Sequence, residues 1–468
     1  MAGSLPHRCL VSAGSPTERI CVTKRRAPKV QKLPVAGFGD TAFTKNRSEP
    51  LHRWVPWIAG FSASFVGEVL AKAGERPPEE ITVLDPFAGV GTTLVEAMKR
   101  GHNTIGFEIN PFAALVCQAK VMCLGYDLAE LGATIRSLRQ FLAERMESTP
   151  RTQRPKEFRS RVPFFSPAVE RKVLRALDFI AEQRMAWVRD LLRVALGAVL
   201  VGFSNYSYEP SLGRRSSAGK QDILDADVGG ILAAKLTEIA EDIARVQAEA
   251  RSLRAIREKP RAEVFSESFL TGSSRVRSHS VDFLITSPPY LNNYHYVRNT
   301  RPHLFWLGLI ESRARLAEME QESFGKFWQT VRAGPRIELA AGPPELASRI
   351  DRLRSCNPER GVYGGSGWAN YAAAYFNDCL AFCRAARRVM KPGGIAVVVI
   401  GNNILQGIEF KTDEYFGKIA EGCGFELVEL HRVRKKRMGS SIVRSSVRRG
   451  APAEPVELYE TAIELKAV

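Results

Sequence analysis

Four consecutive residues, Ser287-Pro288-Pro289-Tyr290, combine a hydroxyl, two backbone positions without donors and an aromatic face. Successive prolines fix φ and remove two N–H groups, so the Ser287 and Pro288 carbonyls stand as acceptors with no donor beside them. The exocyclic amine of a nucleobase offers two N–H donors. The Ser287 hydroxyl and the Pro288 carbonyl suit both of them, and Tyr290 supplies a surface on which the ring could stack. The apolar run Val281 to Ile285 just before it reads as a buried strand that delivers its C-terminal end to this loop. A strand, a Pro-Pro turn and a packing tyrosine would use the same residues without chemistry, so a second constellation has to decide.

That constellation is Asp85-Pro86-Phe87-Ala88-Gly89-Val90-Gly91-Thr92-Thr93, which follows the apolar run Ile81 to Leu84. It reads as strand, glycine turn and helix start. Gly89 and Gly91 let the backbone approach a ligand closely, and Thr92 or Thr93 is placed to cap a helix whose first N–H groups face that ligand. A second strand, Thr104 to Phe107, ends in Glu108, about twenty residues on, where doubly wound nucleotide folds set an acceptor for ribose hydroxyls. A dinucleotide-dependent dehydrogenase would share this much.

Thr286 to Tyr290 resembles the catalytic motif, and Asp85 to Thr93 the cofactor motif, of the DNA amino-methyltransferases. The resemblance covers roughly half of the chain. It implies an α/β, Rossmann-like methyltransferase sheet, S-adenosylmethionine as cofactor and DNA as partner, with Asp85 and the Pro-Pro loop favouring that cofactor over NAD. It further implies Ser287, Pro288, Pro289 and Tyr290 as the catalytic residues. Asp85, Phe87, Gly89, Gly91, Thr92, Thr93, Glu108 and Glu267 would bind the cofactor. Glu267 stands near a position where the family often has an aspartate at the adenine end, and Trp54 and Phe61 fall in the segment that lines the methionine end. A serine before Pro-Pro is commoner in the N4-cytosine group, which favours cytosine N4 over adenine N6. RNA bases and protein glutamine are methylated through related loops, although the basic charge of this chain argues against a protein substrate. No cysteine follows a proline, so the thiolate nucleophile of C5-cytosine methylation is not indicated. A cognate restriction endonuclease is a further partner the resemblance suggests. A binding module that keeps the fold without catalysis is the alternative from another class.

The elements that must position these residues are spread over 468 residues with a formal charge of +17, an excess that suits a polyanionic partner. The eight cysteines form no C-x-x-C pair, so no zinc ribbon or disulfide framework is indicated and no metal site is expected. The longest apolar run, Val194 to Phe203, is far short of a membrane span, and a cytoplasmic, membrane-free protein is expected. Residues 1–45 read as a mobile basic arm, 46–122 as the cofactor half of the core and 123–260 as a helical insertion suited to target recognition. Residues 261–300 read as the catalytic strand and loop, 301–365 as a smaller second insertion and 366–468 as the C-terminal core.

Finer expectations follow from periodicity. Trp54, Trp57, Ile58, Phe61, Phe65 and Val69 fit one helical face with a bend, and Leu232, Leu236, Ile239, Ile243 and Val246 form a longer seam. Arg214, Arg215 and Lys220 follow Ser204-Asn205-Tyr206 in a polar loop open to phosphate contact. Tyr371 to Met390 reads as a helix that ends in Lys391-Pro392-Gly393-Gly394, before a strand from Ile395 to Ile400. Phe425 to Leu430 and Leu458 to Leu465 read as antiparallel last strands. Between them Arg432, Arg434, Lys435, Lys436, Arg437, Arg444, Arg448 and Arg449 form a basic loop without an acid, a candidate for phosphate contact.

Overall fold

The computed structural model describes residues 46–57, 60, 62–145, 148–208, 211–252, 260–291, 295–436 and 457–468. The predicted N-terminal arm, Phe61, the stretch 292–294 and the basic residues from Arg437 to Arg449 lie outside the described residues. The strands are β1 (Thr82–Asp85), β2 (Asn103–Phe107), β3 (Tyr206–Tyr208), β4 (Leu212–Arg214), β5 (Ala262–Phe265), β6 (Val281–Thr286), β7 (Met390–Gly401), β8 (Asn403–Leu405), β9 (Ile408–Phe410), β10 (Phe425–Lys436) and β11 (Leu458–Ala467). The helices are α1 (Ala63–Leu70), α2 (Thr92–Lys99), α3 (Pro111–Val121), α4 (Leu128–Glu144), α5 (Pro167–Glu182), α6 (Ala186–Leu200), α7 (Val228–Ser252), α8 (Phe269–Gly272), α9 (Tyr296–Trp306), α10 (Arg313–Glu322), α11 (Trp328–Val331), α12 (Pro344–Arg354), α13 (Gly365–Val389) and α14 (Thr412–Glu421).

Seven strands form one sheet in the order β10-β11-β7-β6-β1-β2-β5. From β7 to β5 the neighbours run parallel, whereas β11 is antiparallel to both β7 and β10. This is the α/β, Rossmann-like methyltransferase sheet expected from the sequence. The chain proceeds outward from β1 to β2 and β5, then returns to lay β6 on the other side of β1. The direction reverses between β1 and β6, and a crevice for a ligand opens at such a switch point, beyond the carboxyl ends of the strands.

Burial on both faces explains the composition of the central strands. All six residues of β6 are buried, Leu284 facing the layer of α13 and α14 while Phe283 and Ile285 pack toward α1. Helices α4 to α7 occupy the stretch 123–260, with a short hairpin, β3 and β4, between α6 and α7. The expected seam of α7 is wholly buried, and it shares one apolar cluster with Leu94, Val95 and Met98 of α2 and Phe112 and Val116 of α3.

Three expectations need correction. Residues 50 to 73 are not a single bent helix. His52–Trp54 form a 3-10 turn, and α1 starts only at Ala63, where the Ser62 hydroxyl accepts from the Phe65 amide and caps it. The helix expected from Tyr371 begins at Gly365, because a side chain at Gly365 or Gly367 would collide with the carbonyls of Leu353 and Val362, so these glycines serve packing. Lys391 to Gly394 belong to β7, and Gly393 takes φ 76° where the register against β6 shifts. Finally, Arg432, Arg434 and Lys435 sit in β10 and not in a loop. Acids absent from their own run are supplied across the strand: Lys435 pairs with Glu457 at 2.7 Å and Arg434 with Glu460 at 4.0 Å, while Arg432 lies over the Tyr459 ring.

One carboxylate ties the inserted helices to the core. Asp242 on α7 is buried and accepts from the Leu51 amide, from Arg53 and, at 3.1 Å, from Trp54 Nε1. Asp242→Ala leaves these donors unmatched, and removing one partner of a buried charged group costs about 3–5 kcal/mol. A urea-unfolding midpoint that falls accordingly is the expected result; a shift within error would show that the loop at 51–54 docks without it.

Candidate active site

The two motifs meet where β1 and β6 lie side by side. Thr286 Oγ1 donates to Asp85 Oδ1 at 2.6 Å, and the Phe87 amide donates to the same oxygen at 3.0 Å. Burial pushes the Asp85 carboxyl up to about 6, against the opposing hydrogen bonds from Thr286, Thr93 and the Phe87 amide. A second tie runs from Thr93 Oγ1 to the Ile285 carbonyl at 3.3 Å. Thr93 therefore links the glycine turn to β6 and does not cap α2. The cap residue is Gly91, with φ 86° and no side-chain bond. A side chain at Gly91 would meet Cys117 Sγ at 2.8 Å, so this glycine is required by helix packing and its left-handed backbone. It does not line the cleft, whereas Gly89 and Thr92 do.

Glu108 stands immediately beyond β2. Its Oε2 accepts from the Gly89 amide and its Oε1 from the Asn110 amide, both at 2.8 Å. The acid thus holds the glycine turn in place, and carboxylate oxygens retain capacity for further donors. Burial pushes its carboxyl up to about 7, the two amides oppose this, and the nearby Asp85 adds to it. The adjoining cleft is walled by Phe107, Ile109 and Phe269, with Phe107 and Phe269 meeting edge to face at 5.2 Å. Phe87 lines it as well and packs edge to face against Phe324 at 5.0 Å. Glu267 lines the same cleft, with its carboxylate paired to Arg275. A flat apolar slot with a carboxylate at its edge is a fitting receptor for a nucleoside bearing a ribose diol.

Ser287 and Pro289 line this cleft, and Pro288 is buried behind them. Tyr290 is placed otherwise than expected. Its phenol is hydrogen bonded with the side chains of Ser287 and Glu460, burial holds it well above the ordinary tyrosine range, and its ring packs against Gly401. The phenol ties Ser287 in place, and Tyr290, half-buried, is not among the residues that line the cleft. Aromatic surface comes from elsewhere: Trp57 and Tyr296 stack at 6.1 Å, and His295 lies against Phe327 at 3.8 Å, all four lining the cleft.

His295 and Tyr296 stand in the polar and aromatic run that follows the Pro-Pro loop, a composition that suits base contact and stacking, whereas the phenylalanines carry no such mark. Phe324 and Phe327 belong to the second inserted stretch and reach the site only through tertiary packing, so no spacing marks them. Trp57 was within reach, since it lies on the same predicted face as Trp54. The two exchange roles: Trp54 is fully buried and bonded to Asp242, while Trp57 faces the cleft.

Comparison with known proteins finds similarity to methyltransferases. The model of the N6/N4 methyltransferase family, described as DNA methylase, matches residues 76–118, the segment that carries β1, the glycine turn, α2, β2 and Glu108. The chain is similar to the type II methyltransferase M.BsoBI of Geobacillus stearothermophilus, 22% identical over 481 residues that span 95% of this chain and 92% of that protein. It is also similar to the type II methyltransferase M.AvaI of a Nostoc species, 25% identical over 426 residues, 83% of this chain and 82% of the relative. A shorter likeness, 45% over 49 residues, joins it to the type II methyltransferase M.MjaII of Methanocaldococcus jannaschii and spans 10% of this chain and 9% of the relative.

Because folding raises the Asp85 and Glu108 carboxyls, the native state holds more protons than the unfolded chain between their ordinary range and about pH 7. Stability of the ligand-free protein from these groups is therefore full at the acidic end and declines as pH rises through about 6 to 7. Glu108→Gln removes one contributor, so the gap between urea midpoints at pH near 4.5 and above 7 should shrink relative to the parent. An unchanged gap would mean that Glu108 titrates as in the unfolded chain.

Proposed function

We propose that this chain, a member of the N6/N4 DNA amino-methyltransferase family, methylates the exocyclic amino nitrogen of a base extruded from DNA, with cytosine N4 as the favoured target. The observation that carries the reading is the Thr286 to Asp85 hydrogen bond, which sets the Ser287 loop and the cofactor turn at one end of one cleft. The favouring of cytosine rests on the serine at the head of the Pro-Pro loop.

S-adenosylmethionine is the methyl donor and, when bound, supplies an electrophilic methyl group on a sulfonium. Glu108 is suited to hold the ribose hydroxyls, and Phe107, Ile109 and Phe269 to enclose the adenine, with Glu267 and Ser268 at its edge. Gly89, anchored by Glu108, offers a close backbone approach.

An amino nitrogen conjugated to a base is a poor nucleophile, so orientation is what the protein contributes. The Ser287 hydroxyl, held through Tyr290, accepts one amine N–H, and the Pro288 carbonyl takes the other. No covalent intermediate with the enzyme is needed. The net charge of +17 favours association with the phosphate backbone. A restriction endonuclease acting on the same sequence is the partner this reading implies.

Nucleoside mass spectrometry of DNA from a methylation-free host that expresses the chain tests the target. N4-methylcytosine is expected; N6-methyladenine in its place would move the target to adenine, and neither product from soluble protein would sink the reading. Ser287→Ala should lower turnover on the order of a hundredfold while DNA affinity changes little, as for loss of an interaction that matters most in the transition state. Equal losses in both would make Ser287 a binding residue.

A further inference from the structure

Beside the cofactor cleft lies a second, larger cavity of about 530 Å3, within the size range of small-molecule sites. Neither Ser287 nor Pro289 reaches it. Trp57 and Tyr296 line both spaces, so this stacked pair forms the partition between them. The far wall comes from the hairpin of β3 and β4, which is firmly held: Tyr208 Oη donates to the Asn299 carbonyl at 3.0 Å, Asn299 Oδ1 accepts the Leu212 amide at 2.7 Å, and Tyr206 Oη accepts the Arg161 amide at 3.1 Å.

Three features of the lining point to one class of ligand. Four aromatic side chains, Trp57, Tyr206, Tyr208 and Tyr296, offer flat faces. Arg47 and Arg215 also line the space, and neither has a carboxylate partner among the described residues; Arg215 Nε donates only to the Gln221 carbonyl, at 2.7 Å. Two buried polar atoms in the wall, Ser207 Oγ and His303 Nδ1, have no hydrogen-bond partner within bonding geometry among the described residues. His303 is 5% exposed and stacks on Phe112 at 4.5 Å. Burial pushes its imidazole down to about 4, opposed by hydrogen bonding to the Thr300 and Gly197 backbones. A neutral imidazole carries one donor and one acceptor, and orphaned polar atoms of this kind are costly unless a ligand or water meets them.

We propose that this cavity is a second nucleotide site, distinct from the catalytic cleft, which takes one unstacked nucleotide other than the target. The aromatic faces hold the base, Ser207 and His303 meet its polar edge, and Arg47 and Arg215 take the phosphate. That the nucleotide belongs to a DNA strand rests on the DNA-acting reading above; the site itself does not. A free mononucleotide has the same chemistry, and the experiment separates the two sources.

The full chain, saturated with S-adenosylhomocysteine so that the cofactor cleft is filled, is titrated calorimetrically with each deoxynucleoside 5′-monophosphate, with inorganic phosphate and with a short single-stranded oligodeoxynucleotide. Mononucleotide binding stronger than that of phosphate is expected. It should weaken by about tenfold in Arg215→Gln, which removes a charged hydrogen-bond donor, and in Ala198→Phe, which fills the cavity from α6. Affinity for S-adenosylhomocysteine should hold in both variants and so report that they fold. Tighter binding of the oligonucleotide identifies a strand as the source, and equal binding identifies a free nucleotide. The proposal is overturned if no nucleotide binds, if both variants bind as the parent does, or if Ser287→Ala abolishes the binding and so returns it to the catalytic cleft. A parent that fails to bind S-adenosylhomocysteine would count against the methyltransferase reading, and the variant comparison would still be read with the cleft empty.

Discussion

One hydrogen bond, from Thr286 Oγ1 to Asp85 Oδ1, spans 201 positions of sequence and fixes the working end of the molecule. It exists because β1 and β6 are parallel neighbours, so their carboxyl ends fall together at the switch point of the sheet. Both groups are buried, which makes the bond strong and its loss costly, since either partner alone would be left without a match in low dielectric. Thr93 reinforces it from α2 by reaching the Ile285 carbonyl. The cofactor turn and the Pro-Pro loop are thereby joined through two ties, and Ser287 inherits a fixed position relative to Gly89 and Glu108.

Strand β6 is pinned at its other end as well. Asp282, its second residue, accepts from the Thr82 amide at 3.0 Å, from Arg76 at 2.7 Å and from Lys391 at 2.8 Å, so β1, β6 and β7 are clamped where the strands begin. These partners hold the Asp282 carboxyl below the ordinary range in spite of its burial. A carboxylate at each end and a wholly buried run between them leave the strand little freedom to slide. The proposed role of the Pro-Pro loop, the orientation of a weak nucleophile, is suited to so rigid an element.

What could be read from the sequence was local. The order strand, glycine turn, helix, strand and Glu108 depends on neighbours a few residues apart, and the same is true of β6 and its Pro-Pro loop. The antiparallel pair β10 and β11 was legible from two apolar runs. Whatever depended on distant partners was not. Thr93 looked like a cap because the Ile285 carbonyl, 192 positions away, cannot be seen from the turn. The anchoring of the Tyr290 phenol is hidden in the same way, because Ser287 is beside it while Glu460 is not. The basic residues of β10 seemed unpaired because Glu457 and Glu460 arrive across the ladder. Trp54 and Trp57 were equivalent on a helical face that the chain does not form.

The inserted helices are not attached to a finished core but complete it. Ala88 and Val90 of the cofactor turn, Val95 of α2 and Phe112 of α3 lie in the same apolar cluster as the long seam of α7. Beneath the turn, buried Lys120 of α3 donates to the Val90 carbonyl at 3.0 Å, and burial lowers its ammonium to about 7. Its nearest charged influences include Asp242, the residue of α7 that also accepts from Trp54. Trp54 in turn begins the short segment that ends at Trp57, the ring shared by the cofactor cleft and the neighbouring cavity. A close-packed interior transmits displacement because it has no slack to absorb it. The inserted helices, the glycine turn and the segment that carries Trp57 are therefore one packed unit, in which a displacement of any part is felt by the others.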